Sequence, residues 1–328
     1  MYQESLTSKI EAKFRDTARK AKLPKDIRFY AGEDEQTVVL ELQPRAIGAV
    51  AKKNWNMQTD AAAFEAWALL IHAHYDCIRR IVLTVSPMPG SLPYRGHYGR
   101  FMYRAMKFQE QFAEWFSLSP ELERVVEKFR AYLAAHRFCN NVPSGEAAEN
   151  NHLENHIEAL FANKQASLLA NLCREHGLLL ENPCQFFRQL PVGLFEEQVS
   201  AETSVFTGGK SAIDLWTTDG ENIVLFELKA NNPRVGILSE VMFYANYITD
   251  MFISQNTFEA QLVEGNACRG YERLISNAFC RVHAAILTDG LHPLITPEVL
   301  EEMNQNAGPI RYYDLQYACE LQLTKSHP

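Results

Sequence analysis

The chain has 328 residues, of which 47% are hydrophobic and 22% charged, so it is long enough to bury one or two sizeable cores. No stretch reaches the ~18 apolar residues that a membrane helix needs, and the charged N-terminus lacks a signal-peptide hydrophobic region. These features predict a cytoplasmic protein with no membrane partner. The seven cysteines are dispersed without a C-x-x-C pair, which argues against a disulfide framework and a zinc knuckle.

The formal net charge of −8 combines two unlike halves. Residues 1–140 carry 21 Lys and Arg against 16 Asp and Glu, whereas residues 141–328 carry 11 against 24. A basic half beside an acidic half suits a protein in which one half binds a phosphate backbone and the other collects divalent cations. The alternative is that the two halves have unrelated solvent-exposed surfaces that happen to differ in charge.

The first half has the pattern of a mixed α/β domain. In chain order, we predict a helix over about 4–22, two strands within 27–42, a helix within 59–80, a strand at 81–85, and helices over about 100–116 and 120–137. The polar, small-residue segment 139–151 follows, and the charge balance changes sign close to it. We therefore predict two domains, spanning residues 1–140 and 141–328.

The second half has a mixed α/β pattern of its own. The predicted elements are a helix over about 151–176, strands over about 186–195, 210–217 and 222–230, a helix over about 237–255, and a strand over 281–289. The expected fold class is therefore α+β, with a mixed sheet flanked by helices in the second domain.

Three charged residues lie on two otherwise apolar strands of this half. Glu227 and Lys229 are two apart in "NIVLFELKA" and share one face of the strand, while Leu228 points to the other. Asp214 lies on the preceding strand, before a turn that contains Asp219. A solvated sheet face with Glu and Lys alternating is the ordinary alternative.

The register of this hairpin decides how close the two acids lie. With Asp219 and Gly220 as the central turn residues, Asp214 and Glu227 are diagonal neighbours, about 7 Å apart at Cβ; a register shifted by two sets them directly opposite. In each case both carboxylates lie on one side of the sheet. Hard oxygen ligands so close together suit Mg²⁺ or Mn²⁺, which would relieve their repulsion.

The second half resembles the core of the PD-(D/E)XK nuclease superfamily. Its motif is an Asp, a hairpin and Glu-x-Lys, and its predicted elements follow the order helix, three strands, helix, strand. The resemblance covers roughly residues 150–290, and its motif here is Ile213-Asp214, a twelve-residue spacer and Glu227-Leu228-Lys229. The chain departs from the nominal pattern in having Ile213 where the superfamily name has Pro. The resemblance implies a restriction-endonuclease-like αβββαβ core.

The same resemblance implies a role for each residue of the motif. Asp214 and Glu227 would be metal ligands with the Leu228 carbonyl as a third, and Lys229 would orient or deprotonate the attacking water. Superfamily members often add an acid from the first helix. We expect Glu154 in that role, because it borders the apolar stripe of the helix more closely than Glu158 does; a solvated Glu is the alternative.

Basic residues in the first half predict contacts with a phosphate backbone. Arg100, Arg104 and Lys107 share one helical face among tyrosines, although such a row is more often simply solvated. Lys210 follows two glycines just before the Asp214 strand; it could touch a phosphate or be an exposed turn lysine.

Two functional hypotheses follow from these patterns. The first is an Mg²⁺- or Mn²⁺-dependent nuclease that acts on DNA, with RNA left open as a substrate and with pairing of two chains left open as well. The second is a non-catalytic module that binds nucleic acid or protein and keeps a nuclease-like fold. The chain has no phosphate-loop, dinucleotide-binding or serine-hydrolase motif.

Overall fold

The computed structural model describes residues 6–19, 21–32, 34–51, 54–147, 152–178, 185–206, 211–254, 258–263 and 265–317. These residues form nine α-helices: α1 (Leu6–Thr17), α2 (Phe64–His74), α3 (Gly96–Gln111), α4 (Pro120–Ala135), α5 (Leu153–Ala162), α6 (Ala166–Glu175), α7 (Ile237–Phe252), α8 (Tyr271–Ser276) and α9 (Pro297–Asn304). Within the same ranges there are eleven strands: β1 (Arg28–Ala31), β2 (Thr37–Leu42), β3 (Arg80–Val85), β4 (Phe116–Leu118), β5 (Phe138–Asn140), β6 (Phe187–Val192), β7 (Leu194–Glu196), β8 (Ser211–Thr218), β9 (Asn222–Lys229), β10 (Arg281–Thr288) and β11 (Ile310–Gln316). The predicted mixed α/β class is confirmed.

The first half builds a four-stranded sheet in the order β1-β2-β3-β4. Strand β1 is antiparallel to β2, and the other two pairs are parallel. Parallel neighbours need a crossover, which α2 provides between β2 and β3 and α3 provides between β3 and β4. The sequence prediction of a helix to about residue 116 was wrong at its end, because the aromatic residues after Gln111 turn and enter β4 with Phe116 and Leu118 buried.

The second half builds a five-stranded sheet in the order β11-β10-β9-β8-β6. Strands β6, β8 and β9 are antiparallel neighbours, and β10 and β11 continue the sheet in parallel. Helix α7 connects β9 to β10. The predicted helix over 151–176 is two helices, because Asn163 leaves the helical region of φ and ψ and a turn separates α5 from α6.

Helices cover both faces of this second sheet. Ile223 and Leu225 of β9 belong to the core that includes α7, whereas Val224 and Phe226 pack in a separate core with Phe161 of α5. A strand covered on both faces has no need for polar alternation, which explains the uninterrupted apolar run in β9. The charged residues at the end of that strand therefore lie in the interior of the protein.

One sheet is formed by residues before position 140 and the other by residues after it, yet both halves of the chain contribute to one hydrophobic core. Phe64 and Phe101 of the first half belong to the same cluster as Phe243 and Tyr247 of α7. Strand β5 also pairs with β7, so the segment at the predicted boundary begins inside a small sheet. The described helices include none long and apolar enough to cross a membrane.

Candidate active site

The β8–β9 hairpin brings Asp214 and Glu227 together. Leu215 pairs with Phe226 in this hairpin, so the same register carried one residue further sets Asp214 directly opposite Glu227. Directly opposite residues in an antiparallel pair share a face and have Cβ atoms about 4.5–5.5 Å apart. Of the registers that the sequence allowed, the structure has the one that brings the two acids closest.

The turn explains this register. The carboxylate of Asp219 accepts the backbone N–H of Glu221 at 3.0 Å and that of Asn222 at 2.7 Å, and Gly220 adopts a φ of 95° that favours glycine. The central turn residues are therefore Gly220 and Glu221. Of the two registers left open by the sequence, the one centred on Asp219 and Gly220 is not formed, because the Asp219 side chain holds the turn from its first position.

Asp214 is fixed by two hydrogen bonds from neighbouring strands. Its Oδ2 accepts the backbone N–H of Leu228 at 2.8 Å, and its Oδ1 accepts Nε2 of Gln189 at 3.4 Å. Desolvation by burial raises the pKa of Asp214 to about 8, although the nearby Lys229 acts in the opposite direction. The carboxylate is thus held in place in surroundings that oppose its charge.

Glu227, Lys229 and Glu240 form a buried cluster with Asp214, which we call the acidic cluster. Lys229 Nζ donates to Glu227 Oε1 at 2.5 Å and lies 3.5 Å from Oε2 of Glu240 on α7. The three side chains belong to residues with 8% exposure or less. Oε2 of Glu227 and Oε2 of Glu240 have no hydrogen-bond partner.

The acidic cluster contains three carboxylates and one ammonium. Burial, followed by the charges of Asp214 and Glu240, raises the pKa of Glu227 well above its usual value. Burial lowers the pKa of Lys229, but the surrounding carboxylates outweigh this and leave that pKa above its ordinary value. The lysine is therefore protonated, and without a cation the raised pKa values of Asp214 and Glu227 mean that these two acids hold their protons to a higher pH than usual.

The donor set suits a hard divalent cation. Asp214 and Glu227 offer paired carboxylates, one with an unpartnered oxygen, and Mg²⁺ is usually held by one or two carboxylates together with water and substrate phosphates. The carbonyl of Leu228, the third expected ligand, accepts Lys229 Nζ at 3.1 Å. In the part of the chain that the structure describes, no group of three or more His, Cys, Asp or Glu residues is arranged so that it could hold a metal ion by itself. A cation here would depend on oxygens from outside the protein.

The two candidate acids of α5 differ from what the apolar stripe suggested. Glu158 is buried beside Ile157, whereas Leu153 of the predicted stripe is exposed. Glu154, the expected third carboxylate, is half-buried and accepts the backbone N–H of Ala230 at 3.4 Å. The burial order expected for Glu154 and Glu158 was therefore wrong, because α5 is rotated so that Glu158 faces the sheet.

Gln189 of β6 connects Glu158 to the acidic cluster. Its Nε2 donates to Glu158 Oε2 at 2.8 Å and to Asp214 Oδ1 at 3.4 Å. Gln189 has a φ of 53°, a left-handed conformation uncommon for a residue with a side chain. This break in the extended strand lets Gln189 and its neighbour Arg188 both approach the Glu158 carboxylate.

The predicted nucleic-acid-binding row on α3 lies inside the protein. Arg100 and Arg104 are 3% and 4% exposed, and Arg104 is paired with Glu65 of α2. Lys107, which keeps some exposure, donates to Asp250 at 2.7 Å. The structure contradicts the exposure that binding a phosphate backbone requires, because this face of α3 packs against α2 and α7. Lys210 lies outside the described residues.

The first half also contacts the acidic cluster. Gln58 donates from Nε2 to Oε1 of Glu240, and its backbone lies so close to Gly236 that a side chain there would have no room. Arg100 donates to the Ser211 hydroxyl at the start of β8 at 3.1 Å. The loop before α2 thus closes the side of the cluster formed by α7.

Sequence reasoning missed Glu240 and Gln189, and it ranked Glu158 behind Glu154. Glu240 had a usable signal, since it is a charged residue within the apolar run "ILSEVMFYANYITDMF", which is buried on nearly every side. No sequence pattern indicated that Glu158 and Gln189 lie close to Asp214, because their positions depend on the rotation of α5 and on the backbone of β6. Comparison of this chain with protein-family models, curated proteins and solved structures gave no match.

Proposed function

We propose that the protein is a metal-dependent nuclease that hydrolyses phosphodiester bonds of DNA at the acidic cluster. One observation carries the proposal: the register of β8 and β9 sets Asp214 opposite Glu227, with Lys229 on the same face of the sheet. The antiparallel strands β6, β8 and β9 precede α7 and the parallel strand β10 of the same sheet, with α5 and α6 before them, and this arrangement supports the resemblance to the PD-(D/E)XK superfamily.

The composition of the cluster favours chemistry over structural support. Buried carboxylates are costly unless each charge is paired, and Lys229 forms ion pairs only with Glu227 and Glu240, whereas Asp214 accepts hydrogen bonds from neutral donors. The crowding of Glu227 by Asp214 and Glu240, which adds to the effect of burial in raising the pKa of Glu227, is understandable where a divalent cation completes the site.

Each residue of the acidic cluster has its own role in this proposal. Asp214 and Glu227 would hold the cation, which supplies polarisation of the phosphodiester and activation of a water. Lys229, kept protonated by its carboxylate neighbours, would orient the water and counter the charge that builds up on the phosphate. Glu240 holds the Lys229 ammonium from the α7 side.

Cleavage assays test this function directly. The pure protein should cut at least one of linear duplex, circular duplex and single-stranded DNA or RNA in Mg²⁺ or Mn²⁺, and none in EDTA. Circular dichroism should show that the protein is folded in both buffers. If every substrate stays intact at high protein concentration, the catalytic proposal fails and the protein is better described as a binding module.

A further inference from the structure

A cavity of about 330 Å³ opens between α5 and the edge strand β6. Its polar lining comes from three basic or titratable side chains and two amides: His156, Lys164, Arg188, Asn155 and Asn163. The described residues that line it include no carboxylate. The second half of the chain carries 24 acids against 11 Lys and Arg, so a cavity with this lining is unlike its surroundings and favours an anion.

Arg188 is the best-placed donor in this cavity. Its Nη2 donates to the Asn155 carbonyl at 3.1 Å, and its Nε lies 3.6 Å from Glu158 Oε2 without a hydrogen-bond partner. These two contacts hold the guanidinium from α5 while it borders the cavity. A planar guanidinium with fixed orientation suits the oxygens of a phosphate group.

The cavity is connected to the acidic cluster through a short series of contacts. Arg188 contacts Glu158, and Gln189 joins Glu158 to Asp214. An anion in the cavity would therefore lie beside the strand that carries Gln189, on the α5 side of the cluster. A nucleic-acid strand crossing the cluster offers further phosphates on either side of the one that is cut.

We propose that this cavity binds a phosphate group of the polyanionic substrate, with Arg188 and Lys164 as the charged donors and His156 at the rim. The proposal rests on the proposed nuclease function, since it gives that site a second point of contact with its substrate. It also replaces the buried row on α3 as the place where the protein contacts phosphate.

Lys164 and Lys128 provide a matched pair of variants for the test. Both lysines are exposed, one at this cavity and one on α4, so Lys164→Gln and Lys128→Gln each remove one surface charge without disturbing a core. Binding of a fluorescent single-stranded DNA dodecamer would be measured by anisotropy in EDTA over a range of salt concentrations, so that no cleavage occurs.

Lys164→Gln should weaken binding about five- to tenfold and reduce the slope of log affinity against log salt by about 0.7, the value for one lost phosphate contact on a single strand. Lys128→Gln should change affinity less than about twofold, because its charge lies away from the cavity. Pyrophosphate should displace the DNA from the parent at lower concentration than from Lys164→Gln.

Two further DNA probes identify the phosphate that is bound. A dodecamer with a 5′-phosphate should bind more tightly than one with a 5′-hydroxyl if the cavity takes a chain end, and equally if it takes an internal phosphodiester. In either case Lys164→Gln should remove the contact. Equal effects of the two lysine variants, or no binding of any probe by the parent protein, would overturn the proposal.

The test separates this inference from the proposed function. A protein that cuts DNA in Mg²⁺ but binds it equally well with Lys164→Gln is a nuclease without this phosphate site. A protein that binds through Lys164 but never cuts has the phosphate site and is not a nuclease.

Discussion

Two groups of buried charges flank α7, and they differ in how their charges are balanced. In the first, Arg104 donates from Nε to Glu65 Oε1 at 2.7 Å and from Nη2 to Glu65 Oε2, and Ser239 also donates to that second oxygen. One guanidinium meets one carboxylate, and both carboxylate oxygens have donors. We call this group the balanced pair.

The acidic cluster on the other side has three acids and one lysine, and the acids crowd one another closely enough to contribute to the raised pKa of Glu227. Both groups are buried and both join different parts of the chain, so burial of charge does not by itself distinguish a site from a structural contact. Charge balance and satisfied hydrogen bonds do. The comparison is consistent with a structural role for the balanced pair and with the proposed catalytic role of the acidic cluster.

The largest expected effect is the loss of cleavage when the paired acids are neutralised. Asp214→Asn and Glu227→Gln keep the shape of each side chain but lower its charge, so each should reduce cleavage at least about a hundredfold and weaken Mn²⁺ binding. Cleavage rates and calorimetric Mn²⁺ titrations would measure both. Glu221→Gln, in the exposed turn of the same hairpin, is the control and should behave like the parent. Unchanged Mn²⁺ binding by Asp214→Asn would show that the cluster is structural.

A second expected effect separates Lys229 from the acids. Lys229→Ala should also stop cleavage, yet it should leave Mn²⁺ bound, because removal of the ammonium frees Glu227 Oε1 for the cation. The same calorimetric titration at fixed pH measures this. If Lys229→Ala loses Mn²⁺ as Asp214→Asn does, the lysine positions the carboxylates and has no separate chemical role.

The comparison also predicts opposite effects on stability. Arg104→Met leaves the Glu65 carboxylate buried without its partner, which should lower the free energy of unfolding by about 3–5 kcal/mol. Glu227→Gln in EDTA should unfold at the same urea concentration as the parent or a higher one, since it removes a crowded like charge. Urea titrations of the two variants in EDTA would decide. A large loss of stability for Glu227→Gln would mean that its ion pair with Lys229 is a structural contact.

Sequence patterns were informative where an element is strongly periodic or uniformly apolar. The strands that carry Asp214 and Glu227, and helix α7, were predicted to within a few residues, because an apolar run with sharp turn signals leaves few alternatives. The pairing of the two acids was predicted only as a set of registers. The choice among them depended on the side chain of Asp219, which local pattern does not resolve.

The errors have a common physical origin. Arg100, Arg104 and Lys107 form a basic row whether they face solvent or a partner helix, and the sequence does not show that Glu65 and Asp250 lie opposite them. Glu158 was ranked behind Glu154 for the same reason. Contacts between elements distant in the chain decide which charged faces are buried, and periodicity within one element carries no information about them.

A smaller effect should appear in the pH dependence of stability. The pKa of Asp214 is about 8 in the folded protein and near 3.8 in an unfolded chain, so the native state binds a proton that the unfolded state releases. In EDTA the melting temperature should therefore fall as pH rises from about 4 to 8. Mn²⁺ should offset this loss most strongly near pH 8, and Asp214→Asn should flatten the profile. If the melting temperature of the parent, measured relative to that of Asp214→Asn in EDTA, does not fall over this range, Asp214 is not buried in its protonated form.

The smallest effect concerns which acid of α5 supports the site. Glu158 reaches Asp214 through Gln189, whereas Glu154 contacts only the backbone N–H of Ala230 among the hydrogen bonds described for it. Glu158→Gln should therefore slow cleavage about tenfold by loosening Gln189 and hence Asp214, while Glu154→Gln should slow it by less than about threefold. Single-turnover rates over a range of Mn²⁺ concentrations would compare them, with thermal melts to confirm folding. If Glu154→Gln is the more damaging change and also shifts the Mn²⁺ dependence, then Glu154 moves toward the cation when the site is complete, and the connection through Gln189 serves only to hold α5 against the sheet.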